Sequence, residues 1–357
     1  MSPLVAVVTD STAYLGTVPG VAVVPVQVIA HAPRVAVPAS GRPARTSALS
    51  PSQGPSSFAR SGTNPSEPAS TSTPAEPRPL APTAPATPPN RAEGTGAGGG
   101  SGPGGGAGSG EAISIDGGSF AIDEGSFTGD LISATTSRPS PARFASCYAD
   151  LAAAGATAIV SIHLSAELSG TVESALTAAR TAPVPVEVID SRSIAMGLGY
   201  PVLAAAHAAA AGASQEEVAA AARRSMRDTR TLFYVDTLDY LRRSGRIGTA
   251  ASLFGSALMI KPLLHLTDGH IALLEKVRTS SRAIARLEDL AVQTAGERIV
   301  DVAVQHLAAS SRAEALAERL HKRIPGLRDL RVVEVGAVIG AHVGPGMLGL
   351  TVTSANH

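Results

Sequence analysis

Two short segments place several hydroxyl groups immediately ahead of a helix-forming run: Thr136-Ser137-Arg138-Pro139-Ser140 and Ser165-Ala166-Glu167-Leu168-Ser169-Gly170-Thr171. The first turn of an α-helix has backbone N–H groups without intrahelical acceptors, and the macrodipole leaves that end partly positive. Hydroxyl donors added there make an anion site suited to a carboxylate or a phosphate. Each segment also has a plainer role open to it, because Ser140 and Ser169 are of the residue type that caps helices. Both segments follow predicted parallel strands, where ligands of open α/β sheets bind, and that joint placement favours a site over two independent caps.

Other residues that could do chemistry are isolated. His342 stands in Ala341-His342-Val343-Gly344-Pro345-Gly346, which reads as a glycine-rich loop, where an imidazole could donate a hydrogen bond and respond to pH. Arg246 and Arg278, taken alone, read as solvated charges. Asp10 and Asp190, each followed by serine after a predicted strand, read as residues that order turns by accepting from backbone N–H groups. A serine hydrolase would use Ser165 or Ser169 with His163 or His342 as base, but no G-x-S-x-G elbow is present. The nine histidines are scattered without an H-E-x-x-H motif or carboxylate cluster, so neither a metal nor a cofactor is expected. A G-x-G-x-x-G match at Gly100, Gly102 and Gly105 has no strand before it and no helix after it, which removes its dinucleotide meaning.

The elements that must position these groups fall into two regions separated by an insert. Val5–Thr9 and Val21–Ile29 are β-branched runs of strand length. After Ser140-Pro141, the spacing of Phe144, Tyr148 and Leu151 predicts a helix closed by Gly155. Residues 157–164 predict a strand, 171–182 a helix, 184–189 a strand and 199–211 a helix. This alternation implies right-handed βαβ units and a mostly parallel sheet. Ser214 with Glu216 and Glu217 marks a fresh helix start. Beyond it come strands at 232–235, 299–305, 330–335 and 348–352, a hairpin at Asp268-Gly269 and a helix at 311–323. The expected fold class is therefore α/β, with two α/β domains, residues 1–31 plus 114–212 and residues 213–357. Residues 32–113 are rich in Pro, Ser, Thr, Ala and Gly and predict a disordered insert, through which a regulatory or scaffold role is a further reading.

Composition excludes several partners. With Lys+Arg and Asp+Glu at 29 each, no excess positive charge is available for nucleic acid or an anionic membrane surface. The start MSPLVAVVTDST lacks a basic n-region and Asp10 interrupts its apolar run, which predicts a cytoplasmic protein; no window has the length and apolarity of a transmembrane helix. Cys147, the single cysteine, is expected to be a buried structural thiol.

In order along the chain, VVTDST, TSRPSP, SIHLSAELSGTVESA, VIDSRSIAMGLG, VDTLDYLRRSGRIG, IKPLL, EKVR and AVIGAHVGPGMLG resemble the signature blocks of DegV proteins. The resemblance covers nearly everything except the insert. It implies two α/β domains with one long-chain fatty acid in a slot between them. The carboxylate would be held by Thr136 and Ser169, with His342 beside it and Arg246 and Arg278 near the ligand head or the partner-facing surface. It also implies a non-catalytic lipid-binding protein, which in some members is the acyl-carrying subunit presenting the carboxylate to a separate ATP-binding fatty acid kinase subunit. The apolar residues Leu253, Phe254, Leu258, Met259, Ile260, Leu263 and Leu264 are the expected tunnel wall. The link before TSRPS normally helps to cover the ligand, and here the insert replaces it.

Overall fold

The structure, a computed structural model, describes residues 4–30, 113–116, 131, 134–253 and 260–355, all within one compact unit. The expected insert, apart from residue 113, and the Gly100–Gly105 match lie outside the described residues.

The first sheet contains β1 (Val5–Asp10), β2 (Val21–Val24), β6 (Ala158–His163) and β7 (Val186–Asp190), all parallel in the order β2-β1-β6-β7. Strands buried on both faces read as continuous apolar runs, and β6 is buried throughout. One face is covered by α1 (Pro141–Ala153) and α2 (Thr171–Ala179), through Phe144, Tyr148, Ala175 and Ala178. The other is covered by α3 (Met196–Ala210) and α4 (Gln215–Asp228), through Leu198, Val202 and Val218. Ser140 caps α1, its Oγ accepting from the Arg143 N–H at 3.4 Å, with Pro141 in the first turn. Helix α4 starts at Ser214 with a reciprocal Ser214–Glu217 capping box. It follows the expected boundary at 212/213, yet Val218, Ala219 and Ala222 join the core under the first sheet. Cys147 is half-buried on α1, where burial pushes its thiol up and disfavours a reactive thiolate.

The run Val21–Ile29, expected as one strand, is two. Pro25 has no N–H to give a ladder, and after it β3 (Gln27–Ala30) leaves the first sheet. It forms a small antiparallel sheet with β4 (Ile113–Asp116) and β5 (Thr135–Ser137), in the order β4-β3-β5. Thr136 pairs with Val28 in this sheet, so the first hydroxyl segment begins as a strand.

The second sheet has the order β10-β9-β8-β13-β11-β12, built from β8 (Arg230–Tyr234), β9 (Lys261–Thr267), β10 (His270–Val277), β11 (Val300–His306), β12 (Leu327–Glu334) and β13 (Leu348–Ser354). Its pairings are antiparallel except for β11 with β12. Asp268 and Gly269, both at positive φ, turn β9 into β10 as the dipeptide predicts. Helices α6 (Ser280–Ala295) and α7 (Ser310–Arg323) cover one face. Helix α6 escapes the sequence reading, although Thr279 caps it and Ala283, Leu287, Ala291 and Ala295 recur every fourth residue on its buried side. The opposite face packs against α5 (Asp239–Arg243) and α8 (Ala337–Val343), which carry Tyr240, Leu241, Ile339 and Val343 into the core. Among the described residues no helix is long and apolar enough to cross a membrane.

Candidate functional site

A cavity of about 360 Å³ is lined by both halves of this architecture. The first sheet contributes the β6–α2 connection, through Leu164, Leu168 and Ser169, and the β7–α3 connection, through Ile194 and Ala195. The second contributes Phe233, Leu266, Ile271 and Met347 from its sheet side, and Ile339 and Val343 from α8. The walls are therefore apolar, and polar groups are few enough to fix an orientation.

Thr136, Ser169, Arg246 and His342 all line this cavity. Thr136 Oγ1 lies 2.8 Å from His342 Nε2 across 206 residues of sequence. His342 is not on a loop as the glycines predict: it stands in the last turn of α8, which Gly344 ends at φ +73. Burial, reinforced by the positive charges of Arg246 and Arg243, pushes its pKa down to about 4. The ring is thus neutral near pH 7 and carries one proton. Its Nδ1 is buried with no hydrogen-bond partner among the described residues. If the proton sits on Nε2, it is donated to Thr136, whose own hydroxyl proton is then free for an anion in the cavity. The opposite tautomer would bury an N–H without an acceptor, the costlier arrangement.

Ser169 does not cap α2, because that position is held by Gly170 without a side-chain bond. The Ser169 hydroxyl instead lies 2.9 Å from Thr171 Oγ1. Arg246 is exposed, donating from Nε to the Leu168 carbonyl at 3.2 Å and from Nη1 to the Ser244 carbonyl. Arg278 is exposed after β10 and does not line the cavity. Arg138 was not singled out by sequence, yet it lines the cavity and its Nη1 reaches Glu173 Oε2 at 2.5 Å. Its position is permitted by Gly170, where an added Cβ would lie 2.0 Å from that Nη1.

The β6–α2 connection is anchored from below. Asp10 Oδ2 accepts from the Leu164 N–H at 3.0 Å and lies 3.1 Å from His163 Nδ1. Asp190 Oδ1 accepts from Ala166 and Arg192 at 3.2 and 2.8 Å, so both aspartates order turns as their sequence settings suggest. Ser165 donates to the Gly269 carbonyl at 2.7 Å, tying the same connection to the β9–β10 turn. Neither serine of the hydrolase reading meets a histidine, since Ser165 is committed to Gly269 and Ser169 to Thr171.

The family model described as an uncharacterised protein of the DegV family matches residues 122–355. The chain belongs to the DegV family. A DegV domain-containing protein of Streptomyces coelicolor is 61% identical over 220 residues, covering 62% of this chain and 78% of the relative. One of Mycobacterium tuberculosis is 42% identical over 221 residues, covering 61% and 79%. Among solved structures, the fatty-acid-binding DegV family protein of Thermus thermophilus has a TM-score of 0.69 at 26% identity, covering 98% of this chain and 99% of that one. DegV of Bacillus subtilis, a fatty acid binding protein, has a TM-score of 0.68 at 25% identity, covering 99% and 100%.

In this DegV chain the cavity wall differs from the expected apolar segment. Leu263 and Leu264 are fully buried in the cores on the two faces of the second sheet and do not line the cavity. Phe254, Leu258 and Met259 lie outside the described residues, as does the side chain of Leu253. Alternation along β9 turns Leu263 to the far face; Leu264 shares the face of Leu266 but is covered by its core neighbours, and only Leu266, near the end of the strand, reaches the lining.

Gly344 determines where His342 sits. A Cβ there would lie 2.4 Å from the Tyr240 ring, and φ is in the left-handed region. Gly344→Ala is expected to lower stability by about 2 kcal/mol, read by denaturant unfolding. A loss below about 0.5 kcal/mol would mean that the turn relaxes freely.

Proposed function

We propose that this protein holds one long-chain fatty acid in the cavity, with its carboxylate at Thr136, Ser169 and His342 and Arg246 alongside. It presents that carboxylate to a separate ATP-dependent fatty acid kinase subunit and is itself non-catalytic, acting in the cytoplasm. In this reading residues 1–31 with 114–212 form one domain, to which α4 (Gln215–Asp228) adds its core residues, and the remainder of 213–357 forms the other, with the slot between them. The observation that carries it is an apolar cavity meeting a compact polar group in which a neutral histidine is bonded to a threonine hydroxyl. The fatty-acid-binding relatives from Thermus thermophilus and Bacillus subtilis support the ligand class. The kinase role rests on the resemblance of the motif blocks. Arg278, exposed, belongs in this reading to the partner-facing surface rather than to the carboxylate.

Burying about 15 methylenes at roughly 0.8 kcal/mol each contributes on the order of 12 kcal/mol before ordering costs. A hydrogen bond to the carboxylate contributes only about 1.5 to 3 kcal/mol. The tail therefore sets affinity and the head group sets register. Mass spectrometry of lipid extracted from the purified protein should find a fatty acid. Thr136→Ala and Ser169→Ala should each slow acyl phosphorylation by a partner kinase about tenfold or more while occupancy falls much less. Equal loss of both quantities would sink the division between head and tail.

A further inference from the structure

A second set of polar groups faces the same cavity away from His342. Thr231 on β8 and Gln305 on β11 both line it. Thr231 pairs in register with Thr351 of β13. Leu348 is the first residue of β13, after the turn that ends α8, and Thr351 is three residues further, about 10 Å along the strand.

The hydrogen bonds of this group leave protons over. The Met196 N–H donates to Gln305 Oε1 at 3.0 Å, which fixes the amide orientation. Gln305 Nε2 then donates to Thr351 Oγ1 at 2.8 Å, and Thr351 Oγ1 lies 3.2 Å from Thr231 Oγ1. When Thr351 donates to Thr231, the direction in which each hydroxyl both accepts and donates along the chain from Gln305, the Thr231 hydroxyl proton remains without an acceptor among the described residues. The second amide proton of Gln305 is in the same position. Both belong to nearly fully buried side chains. Buried donors of this kind have acceptors as a rule, and here the space they share is the cavity.

Gly349 points the same way. It pairs with Gln305 and Phe233 in the middle of the sheet, where glycine weakens a strand unless something approaches the backbone closely. A Cβ on it would meet no protein atom closer than 3.5 Å, so protein packing does not demand glycine there. The freed volume belongs to the cavity, which Gly349 lines beside Gln305.

We propose that Thr231 and Gln305 form a second polar subsite that binds an oxygen carried on the acyl chain itself. The preferred ligand is then a fatty acid bearing a hydroxyl or oxo group remote from its carboxylate. This rests on the fatty acid reading above. An unsubstituted chain would press methylenes against both donors, whereas one oxygen can accept from both. Thr231 and Leu266 also border a neighbouring hollow of about 480 Å³, so water is the competitor for these protons.

The test uses the full chain stripped of lipid, titrated with stearic acid and with hydroxystearic acids whose hydroxyl is moved stepwise along the chain. At least one hydroxy acid should bind tenfold tighter than stearic acid. Thr231→Val should abolish that gain, so that within this variant no hydroxy acid binds tighter than stearic acid, and Thr231→Ser should keep it, with melting curves showing that both variants fold. If stearic acid binds and no hydroxy acid binds tighter, water fills the subsite and the inference is overturned while the fatty acid reading stands. A gain that survives in Thr231→Val also overturns it. If no acid binds at all, the fatty acid reading fails and takes the subsite with it.

Discussion

Asp10→Ala is expected to lower stability by about 4 kcal/mol and the melting temperature by about 10 °C. The Asp10 side chain is fully buried and accepts from the Leu164 N–H, the Thr12 N–H and the Thr12 hydroxyl at 3.0, 3.1 and 2.5 Å. Its other contact is His163 Nδ1 at 3.1 Å, and His163 Nε2 lies 2.7 Å from Ser161 Oγ, itself 2.9 Å from the Tyr148 hydroxyl. Alanine leaves several buried donors without acceptors, and each such group costs about 1 to 3 kcal/mol. Asp10→Asn keeps one acceptor oxygen and should lose less. Thermal unfolding of the three proteins checks the order, and a fall below about 2 °C for the alanine variant would show that solvent repairs the network. The order Asp10–His163–Ser161 matches that of a hydrolytic triad, but geometry denies it the role. Ser161 is fully buried beneath Phe144 and Tyr148, and none of the four residues lines the cavity. Its work is to fix the end of β6, from which Leu164, Leu168 and Ser169 reach the ligand space. Ser161→Ala should therefore leave fatty acid occupancy unchanged.

How far the site could be read from sequence follows from how local its signals are. The strands and helices of the first sheet announce themselves through β-branched runs, Ser140-Pro141 and the Phe144–Tyr148 spacing, because propensity and burial agree there. Helix α8 does not, because Gly340 lowers its helix propensity and Gly336 and Gly344, at its two caps, imitate a loop. Their spacing of four is nevertheless helical, and Gly340 packs so closely that an added Cβ would meet Leu307 Cδ2 at 3.0 Å. Tertiary contact, invisible in a single sequence, overrides propensity at that point. The Thr136–His342 pair was legible only because motif resemblance joined two distant segments; neither residue's neighbours indicate the other. Thr231 and Gln305 carried no signal at all. Each is one polar residue in a strand whose alternation reads equally well as a solvent face, and only the register of β8, β13 and β11 shows that they share the cavity.

The pH dependence of stability tests His342 directly. Its folded pKa is depressed to about 4 from an ordinary 6.5, so as pH falls the unfolded chain takes up the proton first. The stability that neutral His342 preserves is whole above pH 6.5 and is lost progressively as pH drops towards 4, amounting to roughly 3 kcal/mol. His265, also lowered by burial, adds a loss of the same sign in the unbound protein. Glu275, lowered by Arg286, and Glu288, where burial raises the carboxyl but the Arg323 and Arg319 bonds together lower it further, lose their contributions further down, below the ordinary carboxylate value of 4.5. The window from pH 6.5 to 5 therefore isolates histidine, and the difference between the protein and His342→Gln isolates this one. A carboxylate bound beside the ring would favour the imidazolium and raise its pKa, opposing the effect of Arg246 and Arg243. Loading with fatty acid should then flatten the loss in the unsubstituted protein and leave the variant's curve unchanged in shape. Urea unfolding at stepped pH, with and without bound acid, gives all four curves. If His342→Gln has the same slope as the parent, burial does not hold the ring neutral. If loading leaves the parent slope unaltered, the carboxylate lies elsewhere in the cavity, away from both His342 and the Thr136 hydroxyl bonded to it.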